Sequence, residues 1–227
     1  MEGGWQMDFK GLEMQYNSEK YYNNLFKQNL DASWDDAPGK KVILSALVNN
    51  IKTQKNKILD IGCGNGYFIN EIKKITLECD LEQNYFGIDI SEVAIEKAKN
   101  HYPGITFEQM DATALTFPNN FFDIIFSYGV MEHVKNPFEA LKNVQRILKD
   151  DGFFLMMIPA LGHYRIDRTD EGWYEDLDDN KQLQWNYLRS TWEDLFLKAG
   201  LKLANITDSK KYGAIKPGVF FFGSKLK

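Results

Sequence analysis

The chain has 227 residues, 44% apolar and 26% charged, a balance that lets one α/β domain with an elaboration bury a sizeable core. Its net charge of −5 argues against a partner bound by phosphate neutralisation, so no nucleic acid is expected. Two cysteines, Cys63 and Cys79, with no C-x-x-C or His/Cys cluster beside them, disfavour a disulfide framework and a structural zinc site and fit free thiols.

The first thirty residues lack the apolar stretch of a signal peptide. No run of about 18 apolar residues occurs, so a cytoplasmic chain without a membrane span is expected. Residues 1–40 carry Trp5, Tyr16, Tyr21, Tyr22, Phe26 and Trp34 among polar residues, a pattern for one or two helices packed as a lid, or for a plain N-terminal extension. The rest, 41–227, reads as one domain.

From Lys41 helical and strand periods alternate. Val42, Leu44, Leu47, Val48 and Ile51 form a helix-like stripe, "KILDIG" is a short buried strand, and Phe68, Ile69, Ile72 and Ile75 predict a helix from about Tyr67. "YFGIDI" is the second strand, after which Ser91 caps a helix with Glu92 in its first turn. "ITFEQMDA" and "FDIIFSYG" are strands three and four. "PFEALKNVQRILKDDG" is a helix with Pro137 near its start and Gly152 past its end, and "FFLMMIP" is strand five.

Residues of about 160–190 are a charged, aromatic insertion after strand five, more often functional than idle at that length. Beyond it, Ser190 or Thr191 caps a helix with Trp192, Leu195 and Phe196 on one stripe and Gly200 at its end. "LANITDSK" and "GVFFFGSKL" then offer an antiparallel hairpin at one sheet edge. Mostly apolar strands alternating with helices describe a doubly wound, mostly parallel sheet of seven strands, with ligands outside the carboxyl ends.

The stretch "KILDIGCGNGYF" stops a buried strand with Gly62, Gly64 and Gly66 and leaves Asp60 at its rim. Three glycines in five residues suggest a backbone that a ligand approaches closely. The dinucleotide pattern G-x-G-x-x-G would need glycine at 67, where Tyr67 stands, and no G-K-[ST] follows as in a phosphate loop. Asp60 can meet an ammonium group, Asp89 at the end of strand two can accept both hydroxyls of a ribose, and Asp111 at the tip of strand three can accept from an adenine amine. Together these describe S-adenosylmethionine. Each acid also has a plainer reading, as a cap or turn residue; Asp123, at the start of strand four, reads as structural.

The stretches "ILDIGCGNG", "FGIDIS", "EQMDATALTFPNNFFDIIFS" and "MEHVKNPFEALKNVQRILKDDGFF" resemble, in order, the motifs of class I S-adenosylmethionine-dependent methyltransferases. The likeness spans about residues 56–158 and is greatest to the small-molecule (type 11) group that includes the ubiquinone and menaquinone enzymes. It implies a Rossmann-like fold and S-adenosylmethionine as cofactor, with S-adenosylhomocysteine as product. Asp60, Gly62 and Gly64 would hold its methionyl end, Asp89 its ribose, and Asp111 its adenine, backed by Met110 or Ala112, with Asn65, Gly66 and Ile90 as further cofactor contacts. Ser127 and Tyr128 would lie near the sulfonium.

For the transfer, His133 in "GVMEHV" is the candidate base for a hydroxyl acceptor, with Glu132 beside it as a weaker candidate; a brace for the next helix is the plainer reading of His133. Quinone-type relatives bind magnesium through E-x-x-E-H, but Gly129 stands at the first position, so no metal is expected. Tyr21 and His163, Tyr164, Arg165 and Arg168 are candidate acceptor contacts. Their polarity favours a sugar, a nucleotide-linked metabolite or an amine, methylated on O or N. A quinone- or lipid-type methyltransferase, a non-catalytic cofactor-binding subunit and a nicotinamide oxidoreductase are the rivals.

Overall fold

The apolar runs of the sequence form the middle of one seven-stranded sheet. The computed structural model describes residues 18–28, 44–49, 51, 53–159, 172–175, 183–208 and 218–226. In chain order these hold α1 (Ser18–Lys27), a short helix α2 (44–49), β1 (Lys57–Ile61), α3 (Tyr67–Glu78), β2 (Asn84–Asp89), α4 (Glu92–His101), β3 (Thr106–Gln109) and β4 (Phe122–Tyr128). A 3-10 turn (Met131–His133), α5 (Pro137–Ile147), β5 (Leu148–Ile158), β6 (Gly172–Glu175), β7 (Leu183–Asn186), α6 (Arg189–Lys198), β8 (Leu201–Asp208) and β9 (Val219–Lys225) follow.

The sheet order is β3-β2-β1-β4-β5-β9-β8. The first five strands pair in parallel, and β9 runs antiparallel between β5 and β8, as the expected terminal hairpin. Successive residues point to opposite faces, and both faces are covered, so the strands are apolar throughout rather than alternating. Ile58, Phe126, Leu155 and Phe220 pack with Leu47, Ile69 and Ile72. Leu59, Ile61, Met156 and Phe221 pack on the opposite side with Leu141, Val144, Trp192 and Phe196.

Caps follow the sequence in part. Ser91 Oγ accepts from Ala94 N (3.2 Å) ahead of α4, and Asn136 Oδ1 accepts from Glu139 N (3.1 Å) with Pro137 opening α5. The α6 start differs from expectation: Leu188 is the cap position, without a side-chain bond, and Ser190 and Thr191 lie inside the first turn. Gly152 does not end α5 either. Leu148 already pairs with Phe122, so the chain has turned into β5, and Gly152 sits within that strand after an irregularity in its register. The insertion contains the antiparallel hairpin β6–β7, with Trp173 opposite Trp185.

Asp123 is structural as expected: Oδ2 accepts from Lys57 N (2.8 Å) and Oδ1 from Lys149 Nζ (2.6 Å), at the amino end of β4. Cys63 is buried and Cys79 exposed, both free. No helix among the described residues is long and apolar enough to cross a membrane.

Candidate functional site

The strand order reverses between β1 and β4, and such a switch opens a crevice at the carboxyl ends of the strands. The turn after β1 fills its floor. Gly62, Gly64 and Gly66 all take positive φ (74°, 53° and 83°), which lets the chain fold back so that Gly62 N and Cys63 N both donate to Ile88 O. A Cβ on Gly62 would collide with both methyls of Val130, and one on Gly66 would lie 2.7 Å from Phe107 Cζ. Gly62→Ala is therefore expected to cost about 1–3 kcal/mol of stability. Adding Val130→Ala should recover the steric part and leave the backbone strain, which a thermal-melt double-mutant cycle measures.

The acids differ in environment. Asp60 is buried, at 3% exposure, at the end of β1. Asp89 is buried at the end of β2; its Oδ2 accepts from Gly64 N and its Oδ1 from Ser91 N, both at 2.9 Å. Burial lifts its carboxyl above the ordinary value, and the backbone donors offset part of that rise. Asp111 is exposed, and its Oδ1 accepts from both the backbone N and the hydroxyl of Thr113 at 2.8 Å, the turn role weighed as its plainer reading. Burial and the charges of Asp60 and Asp89 push the Cys63 thiol well up, which keeps it protonated between them.

These groups meet on one cavity of about 640 Å³, within the usual range for small-molecule sites. Its walls include Asp60, Gly62, Gly64 and Asn65 from the glycine turn, Asp89 and Ile90 after β2, and Met110, Asp111 and Ala112 after β3. Tyr128 and His133 close the side past β4. Among the other expected residues, Gly66 packs beneath, and Ser127 is buried with Oγ donating to Ile61 O (3.0 Å), tying β4 to β1 instead of reaching the cavity. Glu132 lies behind the wall, its Oε1 3.6 Å from His133 Nε2, with both residues buried. His163, Tyr164, Arg165 and Arg168 lie outside the described residues.

From α1 it is Tyr22, not Tyr21, that lines the cavity, with Leu25 and Phe26. Positions i, i+3 and i+4 share one helix face, so the spacing of Tyr22 to Leu25 and Phe26 was the available signal. Asn23 anchors this helix: its Oδ1 accepts from Ser91 Oγ (2.7 Å) and Val93 N (3.3 Å). The Tyr22 ring meets His133 edge-on, with centroids 6.5 Å apart. Sequence reading also missed Val130, Val134 and Lys135, cavity residues of the segment around the 3-10 turn. The Tyr128 phenol is pushed up to about 12, by burial first and then by the Glu132 charge, so it remains a neutral hydrogen-bond donor. Among the described residues no group of three or more His, Cys, Asp or Glu side chains could hold a metal ion.

The family model described as "Methyltransferase domain" matches residues 21–206. "EEF1A lysine methyltransferase 4" of Mus musculus is 25% identical over 167 residues, covering 67% of this chain and 65% of its own length. "Ubiquinone biosynthesis O-methyltransferase" of Coxiella burnetii is 30% identical over 115 residues, covering 49% and 47%. The chain thus spans less than two thirds of the length of these curated relatives. Among solved structures, the "1,6-didemethyltoxoflavin-N1-methyltransferase" of Burkholderia thailandensis, with bound 1,6-didemethyltoxoflavin and S-adenosylhomocysteine, superposes with a TM-score of 0.70 at 14% identity, covering 92% of this chain and 88% of that one. At that identity the likeness is one of fold.

Proposed function

The chain belongs to the methyltransferase-domain family, and on that premise we propose that it transfers a methyl group from S-adenosylmethionine to a polar small-molecule acceptor. The observation that carries this reading is the meeting of Asp60, Asp89 and Asp111, from the ends of three neighbouring strands, on one glycine-floored cavity. The donor set fits the cofactor. Asp60 would accept from its ammonium group and Asp111 from the adenine amine. Asp89 spends one lone pair of each oxygen on Gly64 and Ser91 and keeps one on each for the ribose diol.

When bound, the cofactor supplies a sulfonium methyl and a good leaving group, so the protein's share is positioning, exclusion of water and proton handling. α1 acts as a lid, one of the two readings of residues 1–40: Tyr22, Leu25 and Phe26 line the cavity and exclude water from it. His133 takes the proton of a hydroxyl acceptor or holds an amine acceptor in its neutral form, and Glu132, 3.6 Å behind, favours the imidazolium that results. Tyr128, held neutral, donates a hydrogen bond to the acceptor.

The test is a labelled-methyl assay with S-adenosylmethionine and fractionated cell extract, followed by mass spectrometry of the product. Label in a polar metabolite fraction is the expected result. A second reading, a quinone- or lipid-type acceptor, is favoured by the apolar stretch of wall from Leu25, Phe26, Val130 and Val134, and predicts label in the lipid fraction. Tight binding of S-adenosylhomocysteine with no label in any fraction would instead support a non-catalytic cofactor-binding subunit.

A further inference from the structure

We propose that the hairpin β6–β7 is an acceptor-side element of the site, coupled to His133 through Trp185, which acts as a positioning residue for the turn that carries the imidazole. This rests on the reading of the His133 side as the acceptor half of the cavity.

The wall from Val130 to Asn136 is backbone that no sheet ladder holds. Its start is tied to β5 by Gly129 N donating to Met157 O (2.9 Å), and its end is the Asn136 cap of α5. Between these points the turn closes on itself, with His133 N donating to Val130 O (2.9 Å) and Val134 N to Met131 O (3.3 Å). The Val134 carbonyl then accepts from the Trp185 indole N–H at 2.9 Å. Trp185 is 5% exposed and stacks on Tyr187, with centroids 4.9 Å apart and planes at 18°. Tyr187 in turn meets the fully buried Trp192 of α6 edge-on at 5.3 Å. A line of three aromatic rings therefore runs from the core to the carbonyl next to His133.

Such a strut adds an anchor from outside the turn to its two internal closures, and the orientation of a catalytic imidazole is set by what holds its backbone. The expected cofactor contacts come from the ends of β1, β2 and β3, across β4 from the side on which β5 and α5 hold this wall. Changes in the hairpin should thus alter the acceptor half while sparing the cofactor half. The donor is specific: phenylalanine at 185 keeps a ring on Tyr187 and removes the N–H.

The experiment compares wild type with Trp185→Phe in three readings. Calorimetry with S-adenosylhomocysteine should give dissociation constants within about twofold, since the cofactor half is untouched. The ring nitrogen resonances of His133, one of three histidines, should shift as the turn relaxes. Labelled transfer into cell extract should fall roughly tenfold or more, the scale of a small misplacement of a reacting group. A folded variant with unchanged His133 resonances and unchanged transfer would overturn the proposal. If Trp185→Phe fails to fold, 3-benzothienylalanine at 185 removes the N–H at nearly constant shape, and the same readings decide. A wild-type chain that binds no S-adenosylhomocysteine would sink the cofactor reading instead; the His133 comparison in the free protein still judges this one.

Discussion

His133→Ala is expected to lower turnover of a hydroxyl acceptor about 10²–10⁴-fold, the range for loss of a positioned general base. Affinity for S-adenosylhomocysteine should change little, because the three acids proposed to hold it stand elsewhere on the cavity. The size of the effect follows from the surroundings of the ring. It is 8% exposed, faces the cavity, has the Glu132 carboxylate 3.6 Å from Nε2, and carries the edge of Tyr22 against it. Tyr128 cannot take the proton instead, since burial and then the Glu132 charge push its phenol up to about 12 and keep it protonated. Single-turnover kinetics of the variant separate this from slow product release. Full activity in His133→Ala would leave positioning alone as the means of transfer.

The second large effect is on binding. Asp89→Ala should weaken S-adenosylhomocysteine by about 1.5–3 kcal/mol, the scale of hydrogen bonds to a charged group, which is roughly 10- to 150-fold in the dissociation constant. It should also lower the melting temperature, because Gly64 N and Ser91 N lose their acceptor. Asp89→Asn restores the volume but presents donors where the site needs acceptors, so affinity should stay weak. An unchanged dissociation constant in both variants would remove the ribose role.

The raised carboxyl value of Asp89 adds a pH signature with two opposite slopes. A carboxyl raised on folding binds its proton more tightly in the native state. Its contribution therefore favours the free protein at acid pH and is lost as pH rises through the raised value. Ligand affinity runs the other way: as pH falls through the same window, the acceptor oxygens are protonated and S-adenosylhomocysteine binds less well. Calorimetry across that window should show the loss of affinity at higher pH than an exposed aspartate would give, and Asp89→Asn should flatten this component.

What could be read from the chain alone follows from how local each signal is. That Asp60, Asp89 and Asp111 come together at one end of the sheet was legible because parallel strands bring their carboxyl ends side by side. The terminal hairpin was legible because two β-rich segments share one connection. Gly152 misled because a helix-ending glycine and a glycine in the next strand look alike when no residues intervene to mark the turn; the pairing of Leu148 with Phe122 decides it. Ser127 misled because its neighbour Tyr128 lines the cavity while it points to Ile61 O, and alternation along a strand sets which of two adjacent residues does so. Tyr21 and Tyr22 posed the same question on a helix, and there the spacing to Leu25 and Phe26 held the answer. The contact of Trp185 with Val134 joins residues 51 positions apart and leaves no periodic trace.

The most direct measurement is the structure of crystals soaked with S-adenosylhomocysteine. The expected map places the ribose hydroxyls on the Asp89 carboxylate, the amino group toward Asp60 and the adenine beside Asp111, within the cavity floored by Gly62 and Gly64. Density for the compound elsewhere on the protein, or full soaking with none at all, would contradict it.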